Sequence, residues 1–355
     1  MKVLLLSRYT RQAASSRYRS YQYLPFLEEE GIAVTPAPLM GDSYVRGLQE
    51  GRRQIGAGTA AAYLRRILDT FRARRFDLVW IEREALPWLP PFCERWLRLR
   101  RVPYVVDYDD AVFHRYDLHR SGIVRALLGG KIDTVMRNAA LVIAGNSYLA
   151  DRARKAGASR VEILPTVIDL RRYTGRPAGE RPYVIGWIGS PTTAEYVNEV
   201  AGPLARVCRR HGARIRLIGA PPGSVPKLDV EYVPWSEEEE VPRMLHFTVG
   251  IMPLPDTPWT RGKCALKLIQ YMGCRLPCVA SLVGANPTVV EHGETGFLAR
   301  AEQDWEDSLD LLLEDESLRA RMGEAGRARV EEYFSLEKTA PRLSLLLREV
   351  ASSKK

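Results

Sequence analysis

Residues 261–281 have the sequence RGKCALKLIQYMGCRLPCVAS, which combines a polar turn, a helix and a buried strand. Gly262 lies in the turn, Lys263 and Lys267 are predicted in the first turns of the helix, and an apolar strand follows Pro277. Backbone N–H groups, the positive end of a helix dipole and two ammonium groups would then meet at one point. Such an arrangement is suited to holding a diphosphate without a metal ion.

The rest of the chain alternates short apolar runs with segments of helical length, which is typical of parallel sheets flanked by helices. Strands are predicted at Val3–Ser7, Leu78–Glu82, Tyr104–Tyr108, Leu141–Ala144, Tyr183–Ile188, Arg214–Ile218, Glu231–Val233, Val249–Met252 and Cys278–Ala280. Helices are predicted at Tyr18–Glu30, Ala60–Arg74, Ile123–Ala139 and Leu336–Val350, with two or three more within Ala301–Glu332. Both halves therefore have the α/β pattern of Rossmann-like domains.

A division into two domains suits the length of 355 residues, since each part can bury a core of its own. Prolines, glycines and charges crowd together in residues 168–182, which favours a boundary there. The predicted units are residues 1–170, residues 171–335, and a final helix in residues 336–355 that packs back toward the first domain.

The composition, with 46% apolar and 27% charged residues, indicates a soluble globular protein. The apolar run after Lys2 is too short for a signal peptide, and no segment has the roughly 20 apolar residues of a membrane span. We therefore expect a cytoplasmic protein that is peripheral at the inner membrane face if it is recruited there. Five cysteines without paired spacing to histidines predict reduced packing residues, not disulfides or a zinc site.

Charge is distributed unevenly along the chain. Residues 1–180 contain 30 Lys and Arg against 19 Asp and Glu, whereas residues 181–355 contain 22 against 24. The basic half favours an anionic partner, either a membrane surface or a phosphate-bearing acceptor. Nucleic acid is not expected, because no recognition motif or aromatic-interleaved basic repeat is present. An arginine-rich solvated surface would have the same composition.

Residues 261–281 resemble the donor-sugar motif of the family 4 retaining glycosyltransferases, which usually reads Glu, seven residues, Glu-Ala-Met, a short small-residue run, then Pro-Val-Val-Ala-Ser. The two glutamate positions are Gly262 and Gln270 in this chain. The positions that fall in register are Met272, Pro277, Val279, Ala280 and Ser281. Other segments similar to the family are residues 15–19 (SSRYR), 82–84 (ERE), 106–111 (VDYDDA), 186–192 (GWIGSPT) and 293–298 (GETGFL).

The resemblance implies the GT-B fold, in which two Rossmann-like domains face each other across a cleft. It implies transfer of a sugar from a nucleotide-diphosphate donor to an acceptor hydroxyl, with retention of anomeric configuration and without a metal or other cofactor. The nucleotide sugar would bind the second domain. The acceptor would bind the first domain and would be a glycan, a lipid-linked glycan or another polar molecule, as in polysaccharide biosynthesis.

The predicted donor site uses the helix starts of the second half. Gly189 allows close approach to a phosphate, and Ser190 and Thr192 share its turn, although either hydroxyl would also suit a helix cap. Many family members carry an arginine and a lysine here that this chain lacks. The cations expected to replace them are Arg261, Lys263 and Lys267. The other predicted donor-binding residues are Trp235 as a base-stacking ring or a surface anchor, Gln270 at the ribose, and Gly262, Cys264 and Ala265 in the turn.

The predicted acceptor site lies on the first half. Asp107, Asp109 and Asp110 lie at the carboxyl end of a strand, at the edge where open parallel sheets bind ligands. They are interpreted as ligands of acceptor hydroxyls or as groups that order Arg17 and Arg19, and a magnesium site is not expected. Asp107 and Asp109 are counted as catalytic beside Lys263 and Lys267. The residues expected to face an anionic acceptor are Arg8, Arg17 and Arg19, with His114 as a base or as a packed or solvated histidine.

Two other functions suit the same architecture. A catalytically silent sugar-nucleotide-binding or scaffold protein is consistent with the loss of both glutamates. A sugar-nucleotide epimerase would need acidic groups around the donor sugar, and Gly262 disfavours it. The retained lysines favour a transferase in which Lys263, Lys267 and the helix starts stabilise the departing diphosphate. That diphosphate would itself take the acceptor proton, so no dedicated base is assigned.

Overall fold

The structure of the protein, a computed structural model, describes residues 1–49, 56–179 and 181–352. Glu180 in the predicted boundary and residues 353–355 of the predicted final helix therefore lie outside it. The first half contains strands β1 Lys2–Leu6, β2 Ala33–Pro36, β3 Leu78–Glu82, β4 Tyr104–Tyr108, β5 Leu141–Ala144 and β6 Val161–Ile163. The second half contains β7 Val184–Ile188, β8 Arg214–Ile218, β9 Val230–Val233, β10 Val249–Met252, β11 Cys278–Ser281 and β12 Phe297–Ala299.

Helices occupy most of the segments between these strands. The first half contains α1 Ala14–Arg19, α2 Leu24–Glu29, α3 Asp42–Gln49, α4 Ala57–Arg72, α5 Phe92–Leu99, α6 His114–Asp117, α7 Gly122–Leu128, α8 Lys131–Asn138 and α9 Ser147–Lys155. The second half contains α10 Pro191–Ala194, α11 Ala201–His211, α12 Glu240–Met244, α13 Pro258–Arg261, α14 Leu266–Gly273, α15 Asn286–Val289, α16 Glu302–Glu314, α17 Glu316–Tyr333 and α18 Leu336–Ser352. None of the helices in the described residues is long and apolar enough to cross a bilayer.

The strands form two six-stranded parallel sheets, which confirms the α/β prediction. The first sheet has the order β2-β1-β3-β4-β5-β6 and the second β12-β11-β10-β7-β8-β9. Strands β2, β6 and β12 were missed from the sequence because they are edge strands with mostly exposed or half-exposed side chains. They therefore lack the continuous apolar run that marks a strand buried on both faces.

Two predicted helices are interrupted. The segment Tyr18–Glu30 contains α1, a 3₁₀ turn and α2, because Pro25 at the second position of α2 has no N–H to continue a helix from before it. The segment Ile123–Ala139 is divided into α7 and α8 at Gly129 and Gly130, where helix propensity is lowest apart from proline.

The last helix, α18, belongs spatially to the first sheet. Leu343 and Leu347 pack in one buried cluster with Leu5 and Trp80 of the first sheet. The chain thus returns from the second sheet to pack on the first.

Candidate active site

The Gly189 turn and the start of α14 are neighbours in the second sheet. Gly189 ends β7, and α14 follows β10, so both lie where the strand order reverses, which is where open α/β sheets bind ligands. A side-chain carbon placed on Gly189 would lie 2.8 Å from Cε of Lys267. One on Gly219 would lie 3.2 Å from Cβ of Trp235. Segments predicted separately for the donor site are therefore brought together.

Lys267 is a cation without a counter-ion. It lies in the first turn of α14, with its Nζ 5.2 Å from the centre of the Trp187 ring. Across the three described ranges, no hydrogen bond or ion pair reaches this nitrogen. Burial, reinforced by the nearby Lys263, lowers the pKa of Lys267 from 10.5 to about 7. An anion bound beside the Gly189 turn would supply the missing partner.

Ser190 and Thr192 leave their hydroxyls exposed beside this turn. Ser190 precedes α10 without accepting a capping hydrogen bond, and its Oγ lies 3.0 Å from Oγ1 of Thr192. Both hydroxyls are exposed, and the side chain of Ser190 does not cap α10, so the structure does not contain the helix cap that was the alternative interpretation. Their role in donor binding stays a prediction.

Lys263 lies in the loop before α14, not in the first turns of the helix as predicted. The break arises because α13 ends at Arg261 and Ala265 has a left-handed backbone, with φ of 54°. Nζ of Lys263 donates to Oδ1 of Asp110 at 2.8 Å, and Nδ2 of Asn146 donates to the Lys263 carbonyl at 3.0 Å. Burial opposes its charge, but Asp110 outweighs this and raises the pKa of Lys263. The second domain thus holds the first through this loop.

Two neighbouring residues of this segment differ in their surroundings: Cys264 also contacts the first domain, whereas Arg261 is exposed. Cys264 is buried in the core cluster of the first domain, against Gly145 at the end of β5. Arg261 is exposed and pairs with Asp256 through two hydrogen bonds of 2.7 and 3.0 Å. The charge of Arg261 is therefore balanced by Asp256, whereas the ammonium of Lys267 has no acidic partner among the described residues.

Position 262 has no room for a side chain because its backbone packs directly on the first domain. A side-chain carbon at this position would lie 2.6 Å from the backbone nitrogen of Ala111. We therefore expect Gly262→Glu, which restores the family residue, to lower the free energy of unfolding by about 2 kcal/mol through overpacking. Urea unfolding measures it, and Gly58→Glu is the control because that glycine faces open space. Equal stability of the two variants would refute this account of Gly262.

Arg19 and Asp107 form a buried ion pair, which corrects their assignment to an open acceptor site. Nε and Nη2 of Arg19 donate to the two Asp107 oxygens at 2.8 and 3.0 Å, and the residues are 3% exposed each. Burial raises the pKa of Asp107 to about 6 even though Arg19 opposes this shift. The alternative interpretation, in which the aspartate orders the arginine, describes this pair.

Asp109 and Asp110 surround Arg83, a residue to which the sequence reading gave no role. Nε of Arg83 donates to Oδ1 of Asp109 at 2.8 Å, and its Nη2 lies 3.5 Å from Oδ2 of Asp110. Ser15 also donates to Asp109. Burial would raise the pKa of Asp109, but Arg83 and Ser15 outweigh it, so the pKa lies below its ordinary value. Arg83 has φ of 64°, and its place in the ERE segment was the available signal.

Arg8 lies at the switch point of the first sheet, between β1 and β3. Its Nη1 is 3.6 Å from Oε1 of Glu84, and the Nη1 of Arg115 lies 3.8 Å from the same oxygen. Both Nη1 atoms are buried without a hydrogen-bond partner. His114 is committed on both ring nitrogens, 2.8 Å from Oδ1 of Asp117 and 2.8 Å from the Tyr148 hydroxyl. Both ring nitrogens of His114 therefore have partners within the protein, as in the packed alternative, and its role as a base stays a prediction.

Arg17 is buried at the domain contact and does not face an acceptor. Its guanidinium lies 4.8 Å from the centre of the Trp235 ring and 3.5 Å, through Nη2, from Oε2 of Glu240. One face of Trp235 is therefore covered, and its Nε1 donates to Glu240 at 3.0 Å. Base stacking on Trp235 stays a prediction that requires the other face or movement of Arg17.

Gln270 is 4% exposed and belongs to this same contact. Its Nε2 donates to the hydroxyls of Tyr18 at 3.0 Å and Tyr173 at 3.2 Å. Tyr18 in turn donates to Glu240 at 2.8 Å. The amide therefore joins α1 of the first domain to α14 of the second, a role that its predicted place at the ribose did not anticipate.

Residues 1–49, 56–179 and 181–352 contain no group of three or more His, Cys, Asp or Glu side chains that could hold a metal ion. The aspartates at the carboxyl end of β4 form ion pairs with Arg19, Arg83 and Lys263. The cluster is therefore organised as ion pairs.

Two family models match the chain, one for each half. Residues 3–166 match the glycosyl transferase 4-like domain, and residues 229–329 match glycosyl transferases group 1. Two solved structures share the fold. HepE from Anabaena with UDP and glucose has a TM-score of 0.75 and 16% identity over 98% of this chain and 100% of its own. Sucrose-phosphate synthase from Thermosynechococcus elongatus has a TM-score of 0.74 and 15% identity over 99% of both chains.

The chain therefore has the GT-B fold, and each of its halves resembles a glycosyltransferase domain. The chain is also 40% identical over 75 residues to N-acetyl-alpha-D-glucosaminyl L-malate synthase of Bacillus anthracis. That match spans 21% of this chain and about a fifth of the relative's length. The GT-B prediction is confirmed.

Proposed function

We propose that this glycosyltransferase moves a sugar from a nucleotide-diphosphate donor to an acceptor hydroxyl, with retention and without a metal ion. The observation that carries the proposal is the unpaired ammonium of Lys267 beside the Gly189 turn. The solved structures of HepE with UDP and with UDP-glucose support a uridine diphosphate sugar as the first donor to test.

In this proposal the diphosphate lies between the Gly189 turn and Lys267. As the bond from the anomeric carbon to the diphosphate oxygen breaks, negative charge grows on the leaving group, and a preorganised ammonium stabilises it. A new bond forms from the same carbon to the acceptor oxygen, on the same face of the sugar. The acceptor proton passes to the departing diphosphate, which is why no side-chain base is needed.

The acceptor would lie along the ends of β1 and β3. The Nη1 atoms of Arg8 and Arg115 have no hydrogen-bond partner among the described residues, which supports an acceptor with an anionic or strongly polar group there. Asp110 would gain a free carboxylate if an incoming diphosphate drew Lys263 away from it. A glycan, free or lipid-linked, remains the proposed acceptor class.

The test is a screen of nucleotide sugars that follows thermal stabilisation and release of nucleotide diphosphate in excess EDTA. We expect one nucleotide family to raise the melting temperature, with slow hydrolysis of the donor that EDTA leaves unchanged. Activity that EDTA removes and magnesium restores would contradict metal independence. Stabilisation without turnover, with a range of glycan acceptors supplied, would favour the silent sugar-nucleotide-binding protein instead.

A further inference from the structure

Helix α4 presents three large apolar side chains to solvent. Leu64, Leu68 and Phe71 recur at the spacing of one helix face, and they are 59%, 45% and 50% exposed. Arg66 faces inward, is 1% exposed and donates to backbone carbonyl groups of the first domain. Although Tyr63 and Ile67 of α4 pack on the core, the helix exposes three large apolar side chains and buries an arginine, unlike a usual surface helix.

A second set of exposed apolar side chains follows α6. Ile123 and Leu127 are one helical turn apart on α7 and are 72% and 74% exposed, and Leu118 just before them is 58% exposed. Trp88, on the loop after β3, is 46% exposed and has a left-handed backbone with φ of 61°. The conformation holds a large aromatic ring at the surface.

Side-chain contacts join these sets into one surface. The hydroxyl of Tyr63 in α4 donates to the carbonyl of Pro87 at 3.0 Å, next to Trp88. The Trp88 ring lies 5.3 Å from that of Tyr116 in α6 and 5.7 Å from that of His119. Among the described residues, nine of the thirteen exposed large hydrophobic side chains lie on α4 to α7 or their loops. We call this surface the apolar face.

Arginines surround the apolar face without acidic partners. Arg74 and Arg75 follow α4, and others lie on or after α5 and before α7. In the part of the chain that the structure describes, no acidic side chain pairs with these exposed arginines, which are Arg74, Arg75, Arg95, Arg100, Arg101 and Arg120. A surface with free cations around exposed leucines and a tryptophan is complementary to anionic headgroups above an acyl layer.

We propose that the apolar face binds the surface of an anionic lipid bilayer. The leucines and isoleucine of α4 and α7 enter the boundary between headgroups and acyl chains, Trp88 lies at the headgroup level, and the arginines contact lipid phosphates. This inference does not depend on the proposed reaction, because it concerns a surface of the first domain and not the Lys267 region.

Co-sedimentation with phosphatidylcholine vesicles that contain phosphatidylglycerol tests the proposal. We expect binding to these vesicles and little to phosphatidylcholine alone. The paired variants L64S/L68S and I123S/L127S should each lower the partition coefficient about tenfold or more. Loss of Arg74 and Arg75 to alanine should lower it about fivefold per charge, and added salt should weaken binding.

The matched control is L311S/L345S, which replaces two leucines that are 44% and 56% exposed on other helices. It should bind vesicles as the unmodified protein does, and all variants should keep the same melting temperature. Equal binding by L64S/L68S, I123S/L127S and the control would overturn the proposal. So would lipid-independent self-association through this face, seen by sedimentation velocity and removed by the same substitutions.

Discussion

Replacement of Lys267 by methionine is expected to weaken UDP-glucose binding by about 30-fold or more, since a desolvated contact between charges is lost. The same change should raise the free energy of unfolding by about 1 kcal/mol, because it removes a partly buried ammonium that has no partner. Calorimetric titration and urea unfolding measure the two effects. Loss of binding combined with a gain in stability is what a ligand-binding residue produces and a structural one does not.

The affinity should also depend on pH through this lysine. A bound diphosphate favours the protonated form, so the complex holds one more proton than the free protein above the free pKa of about 7. Binding of UDP-glucose should therefore be strongest below pH 7 and weaken by up to tenfold per unit above it. The diphosphate of a nucleotide sugar is esterified at both ends and does not itself titrate there.

Lys227→Ala is the matched control for the lysine, because Lys227 is exposed on the same domain. It should leave affinity and its pH profile unchanged. An unaltered affinity in Lys267→Met would place the diphosphate elsewhere, and a pH-independent affinity in the unmodified protein would remove Lys267 as the charge that titrates.

Conversion of Gln270 to glutamate, the usual family residue, is expected to lower the free energy of unfolding by about 3 kcal/mol at neutral pH. The Tyr18 hydroxyl already donates its proton to Glu240, so it would lie between two buried carboxylates. Burial and Glu240 would raise the pKa of the new carboxyl above its unfolded value. The cost is therefore present above that raised pKa and should shrink as the pH falls through it.

A double-mutant cycle with Glu240→Gln separates this effect from general loss of packing. The double variant Gln270→Glu, Glu240→Gln should be more stable to unfolding than the sum of the single effects by more than about 1 kcal/mol, because one carboxylate again faces one amide. Recovery should be incomplete, since Arg17 and Arg172 lose the charge of Glu240. Gln303→Glu on exposed α16 is the control and should be nearly neutral. Additive single effects would exclude the shared hydrogen-bond network.

Much of the fold was predictable because buried strands have a simple signature. Strands β3, β4, β5, β8 and β10 begin and end at the predicted residues, as expected of continuous apolar runs enclosed by helices. Parallel strands end at one edge of their sheet, which is why the residues at the ends of β4, β7 and β10 were predicted as the candidate site. Edge strands and helix breaks were missed because single prolines, glycines and half-exposed side chains leave a weak pattern.

The partners of the charged side chains were not predictable from spacing along the chain. Arg17 and Arg19 were interpreted as polar groups in the opening loop and Asp107 as a group at the end of a strand, but all three side chains are buried once α1 docks. Gly262 and Gln270 were interpreted as losses of the two glutamates of the family motif. In the structure, Ala111 of the first domain leaves no room for a side chain at position 262, and the Tyr18 hydroxyl accepts a hydrogen bond from Gln270. These contacts join residues more than 140 positions apart.

The sequence by itself determined that the chain folds as two parallel α/β domains with glycine turns and lysines at the second, since those properties depend on local periodicity and composition. Only the tertiary structure decided which cation stays unpaired. Lys263 and Arg261 have acidic partners, and Lys267 has none within the described ranges. Arg261 pairs with Asp256 within its own domain, but Lys263 pairs with Asp110 across the domain contact, and that distance arises only when the two sheets come together.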